Sequence, residues 1–150
     1  SALSRERTGA LIIFERKHGL LNYSSTGTKM NSSIHSDILY SIFQVNSPLH
    51  DGAVILYQNQ IQSAGCFLPL SKNIELDRHL GTRHRAALGI SEVSDAIVAI
   101  VSEETGKMSI CVEGSFIECE NETMLRKELR RYLFSLKKED LLLQKRERRI

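Results

Sequence analysis

Three short polar clusters hold the residues whose types and spacing suggest chemistry. In His50-Asp51-Gly52-Ala53, the Asp51 carboxylate suits a divalent cation or the proton of a hydroxyl group. His50 offers a ring nitrogen as a further ligand, and Gly52 lets a ligand approach the backbone. In Gly81-Thr82-Arg83-His84-Arg85, Thr82 is placed to cap a helix whose first amides favour an anion, and two guanidinium groups supply charged donors for phosphate oxygens. In Ser102-Glu103-Glu104-Thr105-Gly106, Ser102 can donate its hydroxyl to a phosphate, while Glu103 or Glu104 can complete the coordination of a hard cation that Asp51 begins. Together they describe a triphosphate cradle beside a cation site.

Each cluster also has a plainer reading when taken alone: a common Asp-Gly turn, a capped helix with solvated arginines, an exposed acidic turn. Successive helical residues point about 100° apart, so Arg83 and Arg85 need not face one ligand, and His84 is expected to be packed or hydrogen-bonded. His18, His35 and His79 lack metal-ligand spacing and read as surface or satisfied core residues. No P-loop, dinucleotide fingerprint, nucleophile elbow or kinase motif set occurs, so phosphate binding requires a different architecture.

The elements that must position these clusters follow from periodicity. Leu11-Ile12-Ile13-Phe14 suits a buried strand. Ile34, Ile38, Ile42 and Phe43 fall at helical spacing over Ser33 to Gln44, with Ser32 or Ser33 as cap and Asn46-Ser47-Pro48 as the stop. Ala53 to Tyr57 and Gln60 to Cys66 read as a hairpin about Gln58-Asn59. Ile97 to Val101 and Met108 to Val112 read as a second hairpin with Gly106 in its turn, and Phe116 to Glu118 as a short edge. Between the hairpins lie a polar loop, Ser71 to Asp77, and a helix from Arg83 to about Ile90; a long helix runs from about Glu122 into the C-terminal tail. This order predicts a single α/β domain with a mixed central β-sheet flanked by helices, the hairpins arguing against a purely parallel sheet.

At 150 residues, 41% hydrophobic and 25% charged, the chain has enough apolar surface for one core and is not of disordered composition. Cys66, Cys111 and Cys119 are an odd set without a CxxC pair, which argues against a disulfide framework or zinc site and for a reducing cytoplasm. No apolar run approaches the roughly 18 residues of a membrane span. Of 20 Lys/Arg and 18 Asp/Glu, ten and four fall from Arg126 to Ile150, so an acidic body carries a basic tail. That tail is expected to be a helix with a solvated charged face, and no nucleic-acid partner is expected.

In their order and spacing, the three clusters resemble the diadenylate cyclase (DAC, or DisA-N) domain. The likeness extends to Arg7-Thr8-Gly9-Ala10, Ser47-Pro48-Leu49-His50, Gly65-Cys66-Phe67-Leu68-Pro69-Leu70 and Gly89-Ile90-Ser91-Glu92-Val93-Ser94-Asp95-Ala96, and runs from about Arg5 to Tyr132. It implies a domain over residues 1–134 followed by a basic helical tail over 135–150, and condensation of two ATP molecules to cyclic di-AMP and two pyrophosphates. By the resemblance, Asp51, Gly52 and Arg83 are catalytic, and Asp51, His50 and Glu104 bind Mg²⁺ or Mn²⁺. Gly52, Leu68, Thr82, Arg83, Ser102 and Glu103 bind ATP, with the adenine near Leu68. One ATP per chain and two identical linkages per ring imply a two-fold homodimer during catalysis, with higher oligomers as inactive forms. Phe67 stands where relatives often have tyrosine, and the chain looks most like the soluble, sporulation-type branch. The rival readings are a catalytically silent module binding ATP or cyclic dinucleotide, and a metal-dependent phosphohydrolase built on His50-Asp51.

Overall fold

The computed structural model describes residues 1–73, 75 and 79–147, with side chains described as far as Phe134. Seven strands form one mixed sheet: β1 (Ala10–Phe14), β2 (Thr28–Ser33), β3 (Ala53–Tyr57), β4 (Gln60–Cys66), β5 (Ile97–Val101), β6 (Met108–Val112) and β7 (Ser115–Cys119). Their order across the sheet is β2-β4-β3-β1-β5-β6-β7. Only β1 and β3 run parallel; every other neighbouring pair is antiparallel. The expected mixed α/β architecture is the one observed.

Alternation along the central strands sends side chains to two separate cores. Leu11, Ile13, Ala53, Ile55, Val98 and Ile100 meet Ala86, Ala87, Leu88 and Ile90 of helix α4 (Thr82–Val93) on one face. Ala10, Val54, Leu56, Ile97 and Val101 face the other way. There they meet Leu3 of α1 (Ala2–Arg5), Ile42 of α3 (Ser36–Ile42), and Leu125 and Leu129 of α5 (Glu122–Glu147). A short α2 (Leu21–Ser24) lies between β1 and β2. The sheet is thus sandwiched between helices, and its central strands β1, β3 and β5 present apolar residues to both sides.

Several local expectations need correction. The helix expected over Ser33 to Gln44 is confined to Ser36–Ile42, and its cap is His35, whose Nδ1 accepts from the Asp37 amide at 3.2 Å. Ser32 and Ser33, the expected caps, belong instead to β2. The Gln58-Asn59 turn adopts φ of 50° and 60°, the doubly positive pattern of a tight hairpin, without the usual glycine. Helix α4 starts at Thr82 and runs three residues beyond Ile90, with Gly81, not Thr82, as its cap. The Phe116 to Glu118 edge is real and is β7, and Gly106 has φ of 73° in the β5–β6 turn. In the polar loop expected over Ser71 to Asp77, Ser71–Asn73 have no regular structure, and Ile74, Leu76 and Asp77 lie outside the described residues. Helix α5 extends through Glu147; the tail's last three residues, and the side chains from 135 onward, also lie outside them.

Candidate active site

A cleft of about 780 Å³ opens at one end of the sheet. His50, Asp51, Gly52, Leu68, Thr82, Arg83, Ser102, Glu103 and Glu104, the nine residues to which the family resemblance gives site roles, line it. They come from three places: the entry to β3, the exit from β4 together with the start of α4, and the exit from β5.

Register explains how the first two walls meet. Ala53 pairs with Cys66 and Ile55 with Ser63, so one residue of β3 faces two of β4, and the bulge turns the chain leaving β4. A Cβ on Gly52, whose φ is 120°, would come within 2.8 Å of both the Cys66 carbonyl oxygen and the Gly65 carbonyl carbon, so Asp51 can reach the cleft only with glycine following it. The Phe67 amide donates to Thr26 Oγ1 at 2.9 Å, which holds the stretch leading to Leu68 in place.

His50 is oriented by its neighbour. Its Nδ1 lies 2.7 Å from the Ser47 carbonyl oxygen, and since a carbonyl can only accept, Nδ1 carries a proton, so in the neutral ring Nε2 is the nitrogen with a lone pair to offer. Asp51 beside it is exposed. Among the described residues no three His, Cys, Asp or Glu side chains are gathered closely enough to hold an ion alone. This donor set fits a Mg²⁺- or Mn²⁺-type ion that arrives with a nucleotide, because such ions commonly take one or two protein ligands, with phosphate and water completing the shell.

On the opposite wall, Gly81 offers no side-chain cap to α4, so the first amides of the helix are left for an anion. Arg83 donates from Nη1 to Glu103 Oε2 at 3.1 Å, while its Nε is buried without a hydrogen-bond partner. Arg83 lines the cleft, and its guanidinium is a charged donor suited to an oxyanion there. Arg85 turns away, its Nε donating to the Leu80 carbonyl at 3.4 Å, and it does not line the cleft. Of the two arginines, Arg83 is therefore the one placed to touch a ligand.

His84 packs edge-on against Phe116, with ring centroids 5.6 Å apart. Burial, helped by the Arg83 charge and opposed by Glu104, lowers its pKa below the ordinary histidine value. It is a packed, neutral ring, as expected. Ser102 Oγ accepts from the Thr105 amide at 3.3 Å, and its backbone is tied into the β5–β6 turn by Gly106 N→Ser102 O at 2.8 Å. Its hydroxyl proton can still be donated into the cleft. Cys66, Cys111 and Cys119 are free and buried, and burial raises the pKa of each.

The sequence does not mark Leu11, His79 or Leu80 as cleft residues, yet all three line it. The position of Leu80, directly before the Gly81-Thr82-Arg83 cluster, was the available signal.

Comparison with known proteins gives the family and agrees with the fold. The family model described as "DAC: DisA bacterial checkpoint controller nucleotide-binding" matches residues 1–116. The chain is 49% identical over 112 residues to the "Cyclic di-AMP synthase CdaA" of Bacillus subtilis, covering 75% of this chain and 41% of that protein. It is 49% identical over 113 residues to the "Cyclic di-AMP synthase CdaS" of the same organism, covering 75% and 54%. It is 47% identical over 134 residues to a "Diadenylate cyclase" of Listeria monocytogenes, covering 89% and 49%. The chain thus spans about half the length of these curated relatives. Among solved structures, DacA from Staphylococcus aureus, an N166C/T172C double mutant, superposes with a TM-score of 0.85 at 44% identity, over 89% of each chain.

Proposed function

The chain belongs to the DAC family, and from that premise we propose that it condenses two ATP molecules into cyclic di-AMP and two pyrophosphates, each chain supplying one half of the site. The observation that carries this reading is that three clusters far apart in sequence, chosen for phosphate and cation chemistry, line a single cleft.

In this reading the α4 amides, Thr82, Arg83 and Ser102 hold the triphosphate, the Arg83 guanidinium supplying charge-assisted donors. The adenine lies in the partly apolar part of the cleft near Leu68, whose lining includes Phe67 and Leu80. Glu103 holds the Arg83 guanidinium from the exposed side. His50 Nε2 and Asp51 from one wall, and Glu104 from the other, are the groups that would hold Mg²⁺ or Mn²⁺. When bound, the cation neutralises charge at the α-phosphate and on the departing pyrophosphate. Asp51 accepts or relays the proton of the 3′-hydroxyl, whose oxygen bonds to the facing α-phosphorus as the bond to pyrophosphate breaks. The same exchange in the opposite direction closes the ring. Two clefts must therefore face one another about a two-fold axis, and the homodimer is the catalytic unit.

No helix among the described residues is long and apolar enough to cross a membrane. The three buried free thiols suit a reducing, cytoplasmic setting for the domain.

The test is product analysis after incubating the chain with ATP and Mg²⁺ or Mn²⁺. Cyclic di-AMP with two pyrophosphates per ring is expected. AMP or inorganic phosphate instead would mean a hydrolase, and ATP bound but unchanged would mean a silent binding module. Asp51→Asn is expected to keep the fold and ATP binding while losing most turnover, because an amide is a poorer cation ligand and base. Turnover like that of the unmodified chain would remove Asp51 from the mechanism.

A further inference from the structure

Arg7-Thr8-Gly9-Ala10 leads into β1, the strand at the centre of the sheet. Gly9 is buried, and its φ lies outside the left-handed region, so backbone conformation gives no reason for a glycine there. Space does. A Cβ at Gly9 would lie 2.6 Å from Arg83 Cζ, 2.6 Å from Nη1 and 2.9 Å from Nε. The three nearest atoms all belong to one guanidinium, which therefore rests directly on bare backbone.

Of the two partners, only the arginine can move. The chain at Gly9 is fixed on both sides: the Thr8 amide donates to the Leu3 carbonyl at 2.9 Å, and Ala10 is 1% exposed and paired with Val101 across the sheet. Arg83 reaches Gly9 with the far end of a long flexible side chain, and its other restraint, Glu103, is itself 67% exposed. A methyl group added at Gly9 displaces the guanidinium before it displaces the strand.

We infer that Gly9 is a positioning residue: the absence of a side chain there forms the seat that aims the Arg83 guanidinium into the cleft and so shapes the triphosphate pocket. This rests on the proposed role of Arg83 in holding phosphate. It also gives the Arg7-Thr8-Gly9-Ala10 segment a task at a site 74 residues further along the chain.

A four-way comparison of the unmodified chain, Gly9→Ala, Arg83→Ala and the double variant tests it. The ligand is 3′-deoxyATP with Mg²⁺, which lacks the nucleophile and cannot be turned over; affinity is read by calorimetry. Gly9→Ala is expected to weaken binding roughly tenfold, the scale of losing one charge-assisted hydrogen bond. Added to Arg83→Ala, it should change affinity by less than about twofold, since the group it acts through is gone. Equal affinity of Arg83→Ala and the unmodified chain would remove the phosphate role of Arg83, and the seat with it. Weakening by Arg83→Ala but not by Gly9→Ala would overturn the seat alone, as would equal weakening by Gly9→Ala in both backgrounds. Thermal unfolding supplies an independent readout if Gly9→Ala folds poorly. Any loss of stability should disappear in the Arg83→Ala background, and a loss that persists there would show that the methyl meets the strand and not the guanidinium.

Discussion

Replacing Gly89 by alanine sets two effects of opposite sign against each other. Helix propensity alone favours the change by about 0.5–1 kcal/mol, because Gly89 lies within α4. Packing opposes it. A Cβ there would overlap the Pro69 carbonyl oxygen and come within 2.6 Å of the Pro69 carbonyl carbon and 3.0 Å of the Leu70 carbonyl carbon, where ordinary contact begins near 3.4 Å. These are backbone atoms and cannot swing aside. The segment is also tied at both ends, by Phe67 N→Thr26 Oγ1 at 2.9 Å, Ser71 N→Arg85 O at 3.0 Å and Ser71 Oγ→Glu92 Oε1 at 2.6 Å. Overpacking costs about 1–3 kcal/mol, and a hydrogen bond lost in the retreat adds about 1 kcal/mol. After subtracting the propensity gain, Gly89→Ala should destabilise the domain by about 2 kcal/mol and lower Tm by roughly 4–8 °C. Urea unfolding followed by circular dichroism measures this, with Gly81→Ala as control: a Cβ at Gly81 meets nothing within 4 Å, and that variant should stay within about 1 kcal/mol of the unmodified chain. ATP affinity should fall with Gly89→Ala as well, because Leu68 and Leu70 form one wall of the cleft. A Gly89→Ala chain as stable as the unmodified one, or more so, would refute the claim that α4 and the Leu68–Leu70 segment touch backbone to backbone.

Two further outcomes follow from the electrostatics. Glu103→Gln removes an ion pair whose acidic partner is 67% exposed, so stability should change by less than about 1 kcal/mol and ATP affinity should fall less than in Arg83→Ala; a loss equal to that of Arg83→Ala would give Glu103 a direct role with the ligand. Burial, partly offset by the Ser91 hydrogen bond, pushes the Cys111 thiol from 9.0 up to about 11. The unfolded chain therefore loses this proton first, so the stability it confers is complete below pH 9 and is lost as pH rises towards 11, by about 3 kcal/mol at most. Urea unfolding at a series of alkaline pH values should show this decline, and Cys111→Ala should flatten it; an unchanged slope in that variant would assign the decline to other groups.

Much of this architecture is legible in the residues themselves. Alternating or continuous apolar runs mark β1, β3, β4, β5 and β6, since each must cover a helix on at least one face. Strand β2, Thr-Lys-Met-Asn-Ser-Ser, gives no such signal: it is an edge strand with mostly exposed side chains, and backbone pairing with β4 defines it. Losing β2 also explains the misplaced start of α3, since Ser32 and Ser33 look like caps until the sheet claims them. At the site, residue chemistry pointed to clusters that line one cleft, but not to which arginine faces it. That depends on the helix starting at Thr82 and on Arg85 turning back to Leu80. Nor could spacing reveal that Gly9 supports Arg83, because the contact exists only once β1 lies beside β5 and α4 covers them.

The account turns on each cleft being half of a two-chain site. The most direct test is the initial rate of cyclic di-AMP formation from ATP as chain concentration is varied, with the assembly state followed by analytical ultracentrifugation over the same range. Where single chains predominate, the rate should rise with the square of chain concentration, and the product should be the ring with two pyrophosphates. A rate strictly proportional to concentration where only single chains are present, or no cyclic di-AMP at any concentration, would contradict it.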